Sequence, residues 1–196
     1  MEKVLSQFTD AFIVDDSIGL IYIPNFLHDI DCDHIAGIAY DLIIQKSMVL
    51  GNIISSARTS STAYIPKNHD EILTDLSTLV ANLTDKPISA LEQFQVVIYN
   101  DGEFFGEHHD GYEEATMKQN NYTQREYTFF VYLNTVEFGG ETVFPKLSLS
   151  FSPKKGDALF WRNCHDDLSL NNLTMHQGKP PIGGVKYGLN IWIHPY

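Results

Sequence analysis

Apolar residues in the first half of the chain recur with two different spacings. Short apolar runs between residues 11 and 27 flank a turn at Asp15-Asp16-Ser17 and predict a pair of strands. Ile35, Ile38, Ala39, Leu42 and Ile43 then share one face at helical spacing, and Asp29 or Asp31 offers an oxygen to cap that helix. Residues 50–66 are rich in Ser, Thr and Gly and predict a loop holding a short strand. Ile72, Leu76, Leu79, Val80 and Leu83 predict a second helix over about 70–84, with Pro87 beyond its end.

From residue 90 onward the pattern becomes β. Phe94–Asn100, Glu126–Asn134, Leu147–Ser152, Asp157–Trp161 and Val185–His194 are short runs of aromatic and β-branched residues separated by Gly, Pro and Asn. Helices followed by strands suggest an α+β chain, and the many short strands favour a sandwich or barrel, the jelly roll included. Periodicity alone does not choose among these. The segment 111–124 is long, polar and unpatterned, which fits either a lid or a solvated surface loop. No internal repeat or low-complexity linker divides the chain. A single domain over 1–196 is expected, with helical support over about 28–85 and a β core over about 90–196.

Charge narrows the partners. The chain carries 13 basic and 25 acidic residues, a formal net of −12, and shows no basic stripe, so a nucleic-acid partner is not expected. Only Cys32 and Cys164 occur, which rules out a disulfide framework and favours two reduced thiols. The first residues show no signal peptide, and no apolar stretch reaches membrane-spanning length. A soluble, intracellular (cytoplasmic) protein that does not bind membranes is expected. The oligomeric state stays open.

His108 and Asp110 close a strand-like run two residues apart, where alternation brings both side chains to one face. H-x-D recurs by chance in many proteins, so a third ligand is needed, and His176 is the leading candidate. Two histidines and one carboxylate leave three octahedral positions open, the ligand set of non-haem iron(II) oxygenases. A 2-oxo acid chelates through two of these and dioxygen takes the third. A closed four-ligand site would read as structural zinc instead. His109 points away from an ion on an extended chain, and His28, His34, His69, His165 and His194 read as ordinary surface or hydrogen-bonded histidines. Lys186 opens the last strand, where Lys186, Gly188, Asn190, Trp192 and His194 alternate onto one face. A lysine inside a barrel is costly unless paired, and the far carboxylate of a bound dicarboxylate would pair it, with Gly188 leaving room beside it.

The residues resemble the prolyl 4-hydroxylase family of Fe(II)/2-oxoglutarate-dependent dioxygenases. The resemblance runs from about residue 20 to the end. It includes Ile23-Pro24-Asn25-Phe26-Leu27 with Cys32 and His34, then Arg58-Thr59-Ser60. Tyr99, Gly102, Phe105, His108 and Asp110 match the Y-x-x-G-x-x-[Y/F]-x-x-H-x-D pattern. Gln124-Arg125, Thr128, Tyr132-Leu133-Asn134, Gly139-Gly140-Glu141-Thr142, Phe144-Pro145 and Gly156-Asp157-Ala158-Leu159 follow in order. His176, Pro180, Gly184, Lys186 and Trp192 complete it.

The resemblance implies a double-stranded β-helix (jelly-roll) core with the N-terminal helices packed outside. It implies iron on the catalytic residues His108, Asp110 and His176. It pairs Lys186 with the far carboxylate of 2-oxoglutarate, helped by the hydroxyls of Tyr99 and Thr128, with Trp192 lining the pocket. Arg58, Phe105 and Arg125 would lie on the substrate side, Phe105 standing where many members carry Tyr; taken alone, Trp192 also fits as core filler and either arginine as a surface ion-pair partner. The implied cofactors are Fe(II), 2-oxoglutarate and O2, with ascorbate as reductant. The implied reaction is 4-hydroxylation of a peptidyl proline in a peptide or protein substrate, with succinate and CO2 as co-products.

A hydroxylase of a free amino acid or other small molecule would share every metal and co-substrate residue. Asp110 disfavours a halogenase, Lys186 disfavours a lysyl hydroxylase, and the charge opposes nucleic-acid demethylation. A zinc hydrolase would not explain Lys186. A catalytically silent jelly-roll binding module would be expected to lack at least one of these four residues. The stretch from Trp161 to Met175 matches the family poorly and leaves the substrate open.

Overall fold

A computed structural model describes residues 1–42, 45–46 and 58–196. Strands β1 (Phe12–Asp15) and β2 (Leu20–Ile23) form the predicted N-terminal hairpin. They are preceded by α1 (Glu2–Gln7) and followed by α2 (Asp29–Asp41). The cap expected from Asp29 or Asp31 is not made. The N-cap residue is His28 and no side chain caps it; both aspartates sit in the first turn, where they favour the positive end of the helix dipole. Ile35 and Ala39 are buried as expected, whereas Ile43 lies outside the described residues. Helix α3 (Glu71–Thr84) starts where Asp70 accepts a hydrogen bond from Leu73 N at 2.9 Å. It buries Leu73, Leu76, Val80 and Leu83, while Ile72 and Leu79 are only half-buried.

Two antiparallel sheets make the β core. Besides β1 and β2, the large sheet contains β3 (Gln45–Lys46), β4 (Ser61–Ile65), β5 (Phe94–Tyr99), β7 (Tyr127–Tyr132), β10 (Ala158–Arg162) and β12 (Lys186–Ile193). Its order is β1-β2-β10-β7-β12-β5-β4-β3. The small sheet contains β6 (Phe105–His108), β8 (Thr142–Phe144), β9 (Leu149–Phe151) and β11 (His176–Gly178), in the order β6-β11-β8-β9. The expected short strand within 50–66 is β4; residues 50–57 lie outside the described residues. The expected split into helical support followed by β core is therefore softened, because strands before residue 66 form both edges of the large sheet. Segment 111–124 is not wholly a loop. It contains helix α4 (Glu114–Asn120), which buries no residue.

Alternation along the central strands sorts side chains into two layers. Val96, Ile98, Phe129, Val131, Leu189, Ile191 and Ile193 pack under α2 and α3 with Ile35, Leu76 and Val80. Their neighbours Val97, Tyr99, Phe130 and Tyr132 turn inward and meet Phe144 and Phe105 of the small sheet. The inward layer is thus the space between the sheets, and the polar members of β12 open into it. Among the described residues no helix is long and apolar enough to cross a membrane. Cys32 and Cys164 are both buried and unpaired.

Because Asp70 supplies the α3 cap, Asp70→Ala should lower unfolding free energy by ~1 kcal/mol, and Asp70→Ser should retain most of it. Urea denaturation checks this. An equal loss in both variants would assign the effect to the His34–Asp70 contact instead.

Candidate metal centre

Strands β6 and β11 pair antiparallel with His176 opposite His108, and the ladder bulges between His176 and Gly178. Each imidazole is oriented by the same local device. His108 Nδ1 lies 2.8 Å from Gly106 O, and His176 Nδ1 lies 2.9 Å from Thr174 O. A ring nitrogen facing a carbonyl carries the proton, so both Nε2 atoms present lone pairs. Asp110 follows β6 directly. Its Oδ1 is 3.9 Å from His108 Nε2 and its Oδ2 is 3.9 Å from His176 Nε2. Bonds of ~2.0–2.2 Å to nitrogen and oxygen can bridge gaps of this size, so each pair fits one ion as it stands. Among the described residues this is the one cluster of three such groups whose ligand atoms lie within 4.8 Å of one another. Burial, reinforced by His176, holds His108 well below the usual histidine range, which keeps its Nε2 unprotonated. Burial works against ionisation of Asp110, yet His176, His108 and Arg125 keep its carboxyl below the usual range.

The same pocket is lined by Tyr99, Phe130, Thr142, Lys186, Asn190 and Trp192. Lys186 is buried and its Nζ makes no hydrogen bond or ion pair among the described residues. Instead it lies 5.4, 5.1 and 5.6 Å from the ring centroids of Tyr99, Phe130 and Tyr132. Burial pushes its pKa down to about 7. Two more buried polar atoms here, Thr142 Oγ1 and Trp192 Nε1, make no hydrogen bond of good geometry among the described residues, although Trp192 faces Asp110 and Thr142 faces Tyr132. Buried polar groups are normally satisfied. A buried amine that forms no salt bridge among the described residues, sharing a pocket with three convergent metal-binding atoms, fits an anionic chelate laid across the pocket.

Several expected site residues have other partners. Thr128 does not line the pocket; its hydroxyl donates to Asp110 Oδ2 at 2.9 Å. The threonine that lines the pocket with Lys186 is Thr142, the last residue of the Gly139-Gly140-Glu141-Thr142 turn. Arg125 is held by partners within the chain. Its Nε and Nη2 bind the two oxygens of Glu92 at 2.6 and 2.8 Å, and its guanidinium lies 3.5 Å over the Trp192 ring. Burial opposes ionisation of Glu92, but His194 and Arg125 hold its pKa down to about 2. Arg58 lines the pocket and sits 4.4 Å over Phe105, whose ring stacks on His108 at 3.5 Å. Gly188 makes room for a protein ring and not for a ligand, since a Cβ there would lie 2.4 Å from Phe130 Cζ. His109 meets Thr174 Oγ1 at 3.3 Å, and His165 is exposed.

Residues 94–194 match the 2OG-Fe(II) oxygenase superfamily. The chain belongs to that superfamily. Its relatives include Prolyl 4-hydroxylase 5 of Arabidopsis thaliana, 31% identical over 193 residues, covering 87% of this chain and 66% of the relative. Probable prolyl 4-hydroxylase 8 of the same plant is 32% identical over 194 residues, with 87% and 66% covered. The chain thus spans just under two thirds of the length of these relatives. Among solved structures, the viral collagen prolyl hydroxylase of Paramecium Bursaria Chlorella virus-1, in its 2OG complex, superposes with a TM-score of 0.75 at 28% identity. That match covers 93% of this chain and 99% of the viral one. Membership of this superfamily and the two-sheet architecture agree on the jelly-roll fold.

Gly188→Ala should push the Phe130 ring toward Lys186 and cost ~1–3 kcal/mol of stability. Denaturant unfolding checks it; unchanged stability would mean that Phe130 repacks freely.

Proposed function

We propose that this chain is an Fe(II)- and 2-oxoglutarate-dependent dioxygenase that hydroxylates a peptidyl proline at C4. One observation carries the reading. The His108, Asp110 and His176 donor atoms share a pocket with a buried lysine that forms no salt bridge among the described residues. The donor set leaves three positions of an octahedral ion open, as an oxygenase needs. When bound, iron and the oxo acid supply an oxidant strong enough to take hydrogen from an unactivated C–H bond. The chain's own part is binding, orientation and exclusion of water. Lys186 pairs with the far carboxylate of 2-oxoglutarate, and Tyr99 and Thr142 offer it hydroxyls. Trp192, backed by Arg125 and Glu92, forms a rigid wall beside Asp110. Phe105, lacking a phenol hydroxyl, gives the substrate side of His108 an apolar face under Arg58. The family relationship supports proline as the target, since the relatives described above are named prolyl 4-hydroxylases. We read the setting as intracellular, which the reduced, buried thiols of Cys32 and Cys164 support.

The test is oxygen-dependent succinate formation from 2-oxoglutarate with proline-rich peptides, set against free proline. Peptide-stimulated turnover with hydroxyproline in the product is expected, and stimulation by free proline alone would overturn the peptide assignment. His176→Ala should abolish turnover. Lys186→Ala should mainly raise KM for 2-oxoglutarate; kinetics like those of the wild type would refute its role.

The depressed pKa of Lys186 sets a pH dependence. Above about pH 7 the ligand-free amine is mostly neutral, so binding a dicarboxylate requires proton uptake. Affinity for 2-oxoglutarate should therefore fall as pH rises from about 7 to 9, by up to ~tenfold per unit. Calorimetric titration of the Mn(II)-loaded protein reads this slope. Lys186→Met should flatten it, and a flat profile in the wild type would contradict the assignment.

A further inference from the structure

We infer that Thr128 and Asn163 are positioning residues that hold the Asp110 carboxylate in a one-oxygen binding mode. The inference rests on the reading of Asp110 as a metal ligand. Three fully buried polar side chains stand behind Asp110 in a line. Trp161 Nε1 donates to Asn163 Oδ1 at 2.7 Å, Asn163 Nδ2 donates to Thr128 Oγ1 at 2.9 Å, and Thr128 Oγ1 donates to Asp110 Oδ2 at 2.9 Å. None of the three lines the pocket; Thr128 and Asn163 reach the site through Asp110, whereas Trp161 also touches His176.

The direction of this chain is fixed by chemistry. An indole N–H can only donate. It therefore sets the Asn163 amide with oxygen toward Trp161 and nitrogen toward Thr128. An amide nitrogen can also only donate, so the threonine oxygen accepts there and its single proton is left for Asp110. The backbone is pinned as well, with Asn163 N donating to Glu126 O at 2.8 Å and Asn171 N donating to Asn163 O at 3.0 Å. Thr128 and Trp161 are register partners on β7 and β10, and the Trp161 ring meets His176 edge-on with centroids 5.1 Å apart.

The consequence concerns coordination number. A free carboxylate can bind an ion through both oxygens. Two histidines and a two-oxygen carboxylate would fill four octahedral positions and leave only two. A chelating oxo acid and dioxygen need three. Both oxygens lie 3.9 Å from a histidine Nε2, Oδ1 from His108 and Oδ2 from His176; the Thr128 hydroxyl engages Oδ2 and so leaves Oδ1 as the freer donor for the ion. Hydrogen bonds of this kind around metal ligands are worth ~10–100-fold in affinity or activity.

The test is anaerobic titration of the purified protein with Co(II), following its visible absorption, whose intensity reports coordination geometry. Thr128→Val, which keeps shape and loses the hydroxyl, should weaken Co(II) binding ~10–100-fold and change the spectrum. Thr128→Ser should restore both. Asn163→Asp, which offers acceptors at both ends and draws the Thr128 proton away from Asp110, should repeat the loss. Affinity and spectrum like those of the wild type in whichever of Thr128→Val and Asn163→Asp folds would overturn the inference. Failure of Thr128→Ser to restore the spectrum would do the same. Asp110→Ala separates the two levels: if it binds Co(II) as the wild type does, the metal assignment itself falls.

Discussion

Antiparallel register between β6 and β11 places His176 opposite His108, and the site follows from that pairing. A slip of one residue would turn a histidine to the other face. Asp110 lies just past the end of β6, off the ladder, so its carboxylate needs an anchor elsewhere. Thr128, from β7 of the large sheet, supplies it. The metal centre therefore stands where the two sheets are tied to each other, and the orientation of its ligands depends on that junction as much as on local sequence.

The pocket is built against the fold's own preference. Burying the Lys186 amine without a salt bridge among the described residues disfavours the ligand-free state. The surrounding scaffold offsets this with a continuous apolar layer between the large sheet and helices α2 and α3. Lys186 and Trp192 stand near the two ends of β12 and, with Thr142, line the pocket between the sheets. On the proposed reading a bound dicarboxylate would relieve the cost of burying that amine, so the same groups that cost stability without ligand would give the site its selectivity for one.

Much of this arrangement was legible from residue spacing. Strands β5, β7, β10 and β12 announce themselves by alternation, and α3 by its apolar face. The triad and Lys186 were legible because each is a chemically unusual residue at a strand end. Strands β8 and β11 were not, since three residues carry no period. Helix α4 buries nothing and so leaves no apolar stripe to read. Spacing does not tell Thr128 from Thr142: Thr142 lines the pocket and Thr128 stands behind Asp110. The Arg125–Glu92 pair joins residues far apart in sequence, and an arginine beside a motif reads as substrate-facing until its carboxylate is seen. Asn163 falls in the stretch that matched the family poorly, and no motif marks it.

The central claim is that one ion and one dicarboxylate bind together in this pocket. The direct measurement is anaerobic addition of Fe(II) and then 2-oxoglutarate, followed by visible absorption. A weak charge-transfer band should appear only with both present. Lys186→Ala should give the same band at much higher 2-oxoglutarate, and His176→Ala should give none. Iron bound to the wild-type protein with no band at saturating 2-oxoglutarate would contradict the account.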